Sequence, residues 1–162
     1  MADSRGILLD NALIDLSAPL NLAIPKNFQA SGDPGAYIVQ SRGPISDAFR
    51  VMLASAGAQI VSYIPNNAYL VRAPAGVVNL IATSPLVSPP VLPYEPYYKI
   101  QTALLPAAVS QQPLPKGAVL NLGLFADDAP QTIQQIENLG GQIVGRDRSP
   151  FGPEISVQTR GD

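Results

Sequence analysis

Apolar residues in this chain fall into short runs whose period alternates between that of a strand and that of a helix. Ala36-Tyr37-Ile38-Val39-Gln40 is rich in β-branched and aromatic side chains and ends at Arg42-Gly43-Pro44, which predicts a strand followed by a turn. From Ile45 the spacing becomes helical: Ile45, Phe49, Met52, Leu53 and Ala56 share a face, Ser46 stands at an N-cap position and Gly57 at a C-terminal one. Gln59–Ile64 predicts a second strand, Pro65-Asn66-Asn67 a turn, and Ala68–Arg72 a third strand. Residues 74–84, with Val77, Val78, Leu80 and Ile81, predict a short second helix. Residues 86–92 predict a fourth strand, which Pro89 and Pro90 confine to a sheet edge. The order β-α-β-β-α-β is that of ferredoxin-like folds, in which two helices cover one face of a four-stranded antiparallel sheet, so the class expected is α+β.

The pattern then starts again. Gly57-Ala58-Gln59-Ile60-Val61 recurs as Gly140-Gly141-Gln142-Ile143-Val144; at the same offset Tyr37-Ile38-Val39 falls on Leu120-Asn121-Leu122, and Leu53 and Ala56 fall on Ile136 and Leu139. Strands are expected over 118–125, 142–146 and 154–159, with a helix opened by Asp127-Asp128-Ala129-Pro130 and closed at Gly140-Gly141. The helix and strand that would finish this copy do not follow before Asp162. The prediction is therefore tandem ferredoxin-like (βαββαβ) sandwiches, the second incomplete, as in a truncated reading frame or a processed product. Residues 1–34 read as an N-terminal arm and loop, 35–92 as the first unit, 93–116 as a Pro/Tyr-rich linker and 117–162 as the second unit. In the arm, Ile7-Leu8-Leu9 and Ala12-Leu13-Ile14 flank Asp10-Asn11, giving a small hairpin or an arm lying on a later domain; Leu20, Leu22, Ile24 and Phe28 are apolar anchors of the loop. The linker is expected to be extended, with Tyr94, Tyr97 and Tyr98 packed on a neighbour.

Tyr37-Ile38-Val39 and Tyr69-Leu70-Val71 place large apolar side chains on both faces of the sheet, whereas a sheet with one wet face alternates apolar and polar. One set lines the helix-packed core and the other faces outward; alternation alone leaves open which is which. The second face needs a cover. It is either another part of this chain or a partner protein, so Tyr37, Ile38, Val39, Tyr69, Leu70 and Val71 are the candidate docking face.

Composition removes other chemistry. The 162 residues hold no His and no Cys, so the usual general base, the thiol nucleophile and the common zinc, haem and iron–sulfur ligand sets are missing, and neither a catalytic site nor a cofactor is expected. Ten Lys+Arg against twelve Asp+Glu form no basic patch, which argues against nucleic acid as partner. No apolar run approaches the roughly 20 residues of a membrane-spanning helix, and Met1–Arg5 does not lead into a signal-peptide core. Asp127-Asp128 precede a helix, which assigns them to capping and dipole complementation rather than to a metal. Gly140-Gly141 lie between a helix and a strand, the reverse of a dinucleotide loop, and Arg160-Gly161-Asp162 matches an adhesion tripeptide in letters only.

Four segments carry a resemblance: Gly35-Ala-Tyr-Ile-Val-Gln, Gly43-Pro-Ile with its helix, Gly57-Ala-Gln-Ile-Val-Ser-Tyr-Ile-Pro-Asn-Asn-Ala-Tyr-Leu-Val-Arg-Ala, and Pro93-Tyr-Glu-Pro-Tyr-Tyr-Lys-Ile. Over residues 35–100 the chain resembles the N-terminal pro-region of bacterial subtilisin-like serine proteases of the S8 type, with 118–159 similar to a second pro-region unit. The resemblance implies a ferredoxin-like inhibitor and intramolecular chaperone that docks a sheet face on the catalytic domain of the same precursor, extracellular or periplasmic in location. It carries over no catalytic residue, because the family's triad belongs to a later domain. The rival expectation is a self-associating structural or protein-interaction module.

Overall fold

The computed structural model describes residues 6–16 and 23–160, and the chain divides into two compact units at Leu105/Pro106, inside the expected linker. The calls on Met1–Arg5, on Leu20 and Leu22, and on the Gly161-Asp162 end of the tripeptide lie outside the described residues. The class is α+β, and every strand pairing is antiparallel.

The first unit opens with a hairpin, β1 (Gly6–Leu9) and β2 (Ala12–Asp15), turning at Asp10-Asn11. There follow β3 (Ala36–Ser41), α1 (Asp47–Ala56), β4 (Gln59–Ile64), β5 (Ala68–Arg72), α2 (Ala75–Ala82) and β6 (Val87–Pro93). The sheet order is β4-β5-β3-β6, so each helix joins two strands that flank a third running the other way, and the proline-bearing β6 is an edge. Helix α1 begins where Ser46 accepts a hydrogen bond from the Phe49 N–H at 3.2 Å, and it ends at Gly57 with φ 93°. That left-handed turn lets Gly57 N–H and Ala58 N–H donate to the carbonyls of Ala54 and Leu53, satisfying the last turn of the helix. Phe49 and Leu53 of α1 and Val78 and Ile81 of α2 pack with Tyr37, Val39, Tyr69, Val71 and Val87 of the sheet, so both helices lie on one face.

The second unit contains α3 (Leu105–Val109, whose first residue belongs to the preceding unit), β7 (Val119–Gly123), α4 (Ala129–Asn138), β8 (Gln142–Ser149) and β9 (Gly152–Gln158), in sheet order β7-β9-β8. The two units share backbone detail at the residues aligned by the sequence offset. Gly140 has φ 88°, Gly140 N–H donates to Glu137 O and Gly141 N–H to Ile136 O, reproducing the end of α1 at the matching residues. The β8–β9 register shifts between Ile143 and Gly145, the positions that match Ile60 and Ser62, where β4–β5 shifts.

Two local expectations are corrected. Residues 93–116 are not simply extended: a 3-10 turn forms at Pro96–Lys99, where Tyr98 N–H donates to Glu95 O, and α3 follows. Clustering of the Tyr94 and Tyr97 rings on Tyr98, each 6.1 Å from it, rewards this compact path. Asp128 does occupy the N-cap of α4, but its side chain makes no capping bond; what remains is a carboxylate at the positive end of the helix.

Candidate docking surface

All six residues of the candidate face are buried, at 0 to 9% exposure. Tyr37, Val39, Tyr69 and Val71 form the helix-facing set, with Tyr69 stacked on Phe49 at 6.1 Å between centroids. Ile38 and Leu70 point the other way and are buried as well. These six therefore form no open surface on the folded unit, and the physical reason is the N-terminal hairpin. Its paired Ile7 and Ile14, 1% and 0% exposed, are turned inward, while the cross-strand pair Leu8 and Leu13 on its other side is 52% and 69% exposed.

The hairpin is tied down at both ends. Asn66 and Asn67 adopt positive φ in the β4–β5 turn, a conformation asparagine tolerates. Gln40, buried on the same side of β3 as Ile38, donates from Nε2 to Asn66 O at 2.9 Å, and Asn66 Nδ2 donates to Gly6 O at 2.7 Å. At the opposite end Asn11 Nδ2 donates to the carbonyls of Tyr97 and Ile100 at 2.8 and 2.9 Å, and Thr102 Oγ1 donates to Asp10 O at 3.1 Å. The segment after β6, which buries Tyr98, thus completes the cover that the hairpin begins. The Leu8–Leu13 pair is the apolar surface presented on this side. Sequence reasoning missed it, although both leucines stand in the two runs it had noted.

Charged groups nearby serve the fold. Asp33 Oδ1 accepts from Gly35 N–H and Tyr37 O–H, both at 2.8 Å, and Oδ2 accepts from Ala75 N–H at 2.9 Å. The backbone bonds from Gly35 and then Ala75, with the Tyr37 hydroxyl and the Arg72 charge, hold its carboxyl below the usual range. Burial, reinforced by the bond to Asp33, pushes the Tyr37 phenol up to about 12. Burial likewise lowers Lys99, whose ammonium lies 5.9 Å from the Tyr94 ring centroid. Arg50 pairs with Asp47 at 2.6 Å on the exposed face of α1 and donates to Tyr69 Oη at 3.1 Å. Among the described residues no group of His, Cys, Asp and Glu is placed to hold a metal ion, and no helix is long and apolar enough to cross a membrane.

The second unit is organised differently. Its sheet carries one helix, and along β7 the residues alternate between exposed and half-buried. Leu122 of β7, Ile133 and Ile136 of α4 and Ile143 of β8 pack against a buried cluster of Leu124, Ala129, Ile155 and Val157.

The surface so described belongs to a two-unit α+β protein whose first sheet is enclosed on both faces and carries an exposed leucine pair on its hairpin. The model of the family described as Domain of unknown function (DUF8729) matches residues 8–88, half of the chain, and the chain belongs to that family. The match runs from β1 into β6 and so takes in hairpin and sheet together. No curated protein and no solved structure matches.

Proposed function

We propose that this chain is a non-catalytic pro-region of a secreted subtilisin-like serine endopeptidase, acting as chaperone and inhibitor of the catalytic domain made in the same precursor. Its first unit is read as ferredoxin-like and its second as an incomplete copy of the same plan. The observation that supports this most directly is the sheet order β4-β5-β3-β6 with both helices on one face, joined to the residue resemblance over 35–100. The docking surface on this reading is the outside of the hairpin, centred on Leu8 and Leu13, because the sheet face itself is closed. Apolar anchors of this kind, fully desolvated against a partner, carry most of the energy of a standard interface.

Sequencing the reading frame past codon 162 is the direct test: the Asp, His and Ser motifs of a subtilisin domain are expected, and their absence withdraws the proposal. The second measurement is inhibition in trans. The purified chain should slow that catalytic domain, and Leu8→Asp with Leu13→Asp should relieve the inhibition without lowering the stability of the chain.

A further inference from the structure

Between the end of α3 at Val109 and the start of β7 at Val119 the chain runs without helix or strand, and residues 110–113, Pro115 and Lys116 are exposed. Ser31, Gly32 and Asp33, which the sequence offset aligns with 114–116, are exposed too in a unit whose sheet carries two helices, so a second helix on the sheet does not cover this stretch. Ala118 N–H donates to Pro115 O at 2.9 Å, and Gly117 has φ 79°, the left-handed value that glycine supplies at the corner of a turn. Lys116 and Gly117 thus stand at the two corners of an exposed turn, and such loop tips are where proteases nick folded chains.

We infer that the Lys116–Gly117 bond is a processing site for a serine endopeptidase that selects a basic side chain through an acid at the base of its specificity pocket, and that the cut parts the first unit from the second. The C–N bond of the Lys116–Gly117 amide breaks; water supplies the hydroxyl that completes the Lys116 carboxylic acid and the proton that completes the Gly117 amine. Helix α3 stays on the N-terminal product, and β7, α4, β8 and β9 make up the other.

Neighbouring bonds are closed to the same attack. Proline follows both Gln112 and Leu114, and a proline on the leaving side has a ring where the amide hydrogen would be. A substrate enters a protease cleft as an added strand, so backbone already bonded in a helix or ladder is withheld from it. Among the described residues that removes Arg50 in α1, Arg72 in β5 and Arg146 and Arg148 in β8. Lys26 and Lys99 are coiled in 3-10 turns, and the bond after Arg160 lies outside the described residues. Arg42 is held by its own side chain, whose Nε donates to Val87 O at 2.9 Å, and proline stands two residues beyond it. At Lys116 only two backbone bonds near the scissile amide need to open: the turn bond to Pro115 O and that from Gly117 N–H to Thr159 O at 3.3 Å.

Trypsin, which has that specificity, is the probe. In a limited digest of the full chain the cut after Lys116 should come at least about tenfold faster than any other between Gly6 and Thr159, because only there does a small local opening expose the bond. Lys116→Gln should abolish that cut and Lys116→Arg keep it, with the urea midpoint of tyrosine fluorescence the same in all three chains. Because all six tyrosines lie in the first unit, their fluorescence should survive the cut. In the cells that make the protein, N-terminal sequencing should find a fragment beginning Gly117-Ala118-Val119, and Lys116→Gln should remove it. A first cut elsewhere in that span, a first unit that unfolds once cut, or cells that hold only uncut chain or fragments beginning at other residues overturns the inference.

Discussion

Strand β3 of the first unit and strand β7 of the second stand at matching places in the repeat, yet they are buried in opposite styles. Tyr37, Ile38 and Val39 are all enclosed, whereas Val119, Leu120, Asn121, Leu122 and Gly123 alternate between exposed and half-buried. The difference follows from what each sheet carries. The first has two helices on one side and a hairpin with its companion segment on the other; the second has a single helix. A central strand enclosed on both faces needs apolar residues at every position, and a strand with one wet face needs them at every second one. The two units thus share backbone devices, the glycine that ends the helix and the register shift after it, while their side chains differ with the covering.

That contrast can be broken most strongly at Phe49, which is fully buried and stacked on Tyr69. Phe49→Ala should cost about 3–5 kcal/mol, and Ile136→Ala in the half-buried core of the second unit at most about 2 kcal/mol. All six tyrosines lie in the first unit, so tyrosine fluorescence during urea unfolding follows that unit, and amide exchange at Ile155 and Val157 follows the other. Next in size is the cover: Ile14→Ala should remove about 2–4 kcal/mol from the first unit, whereas Val119→Thr on the wet face of the second should stay within about 0.5 kcal/mol of the parent in the same titration.

The helix starts give a finer comparison. Ser46→Ala deletes a bond actually made to Phe49 N–H and should cost about 1 kcal/mol, while Asp128→Ala, where no such bond exists, should cost only a few tenths, read as shifts in urea midpoint. The smallest effect is one of pH. Because the Asp33 carboxyl is held below its ordinary 3.8, its ionised form favours the folded first unit. That stability is present above the unfolded value and is lost as pH falls through the lower folded one. Acid titration should show this loss by tyrosine fluorescence in the parent and not in Asp33→Asn.

Much of this was legible in the residues. The unbroken runs at 37–39 and 69–71 required a cover on the second face, and the prolines of β6 required an edge; each is a local consequence of side-chain direction or a missing N–H. Ser46 and Gly57 announced the ends of α1 through chemistry contained within one turn. The identity of the cover was not legible, because it depends on Asn11, Gln40 and Asn66 reaching carbonyls far away in sequence. Nor could composition tell that Asp128 would stand at its helix without bonding to it, since that turns on a backbone angle. The Leu8–Leu13 pair was hidden for a similar reason: a two-faced hairpin reads the same whether it lies over a sheet or stands alone.

The bonds that fasten the turn end of the hairpin join residues 86 to 92 positions apart. Vectorial synthesis delivers Ile7 and Ile14 first and their second fastening last, after every strand of the sheet has emerged. Loop closure over such a span is slow relative to pairing of neighbouring strands, so the hairpin is the final piece to settle, and its leucines face solvent and chaperones throughout translation. A ribosome stalled with residues up to 93 outside the tunnel should yield a nascent chain whose β3–β6 sheet resists protease while the segment 6–16 is still cut; protection of both at that length would refute this order. The part of the fold that closes the sheet is thus the part that the growing polypeptide must leave open longest.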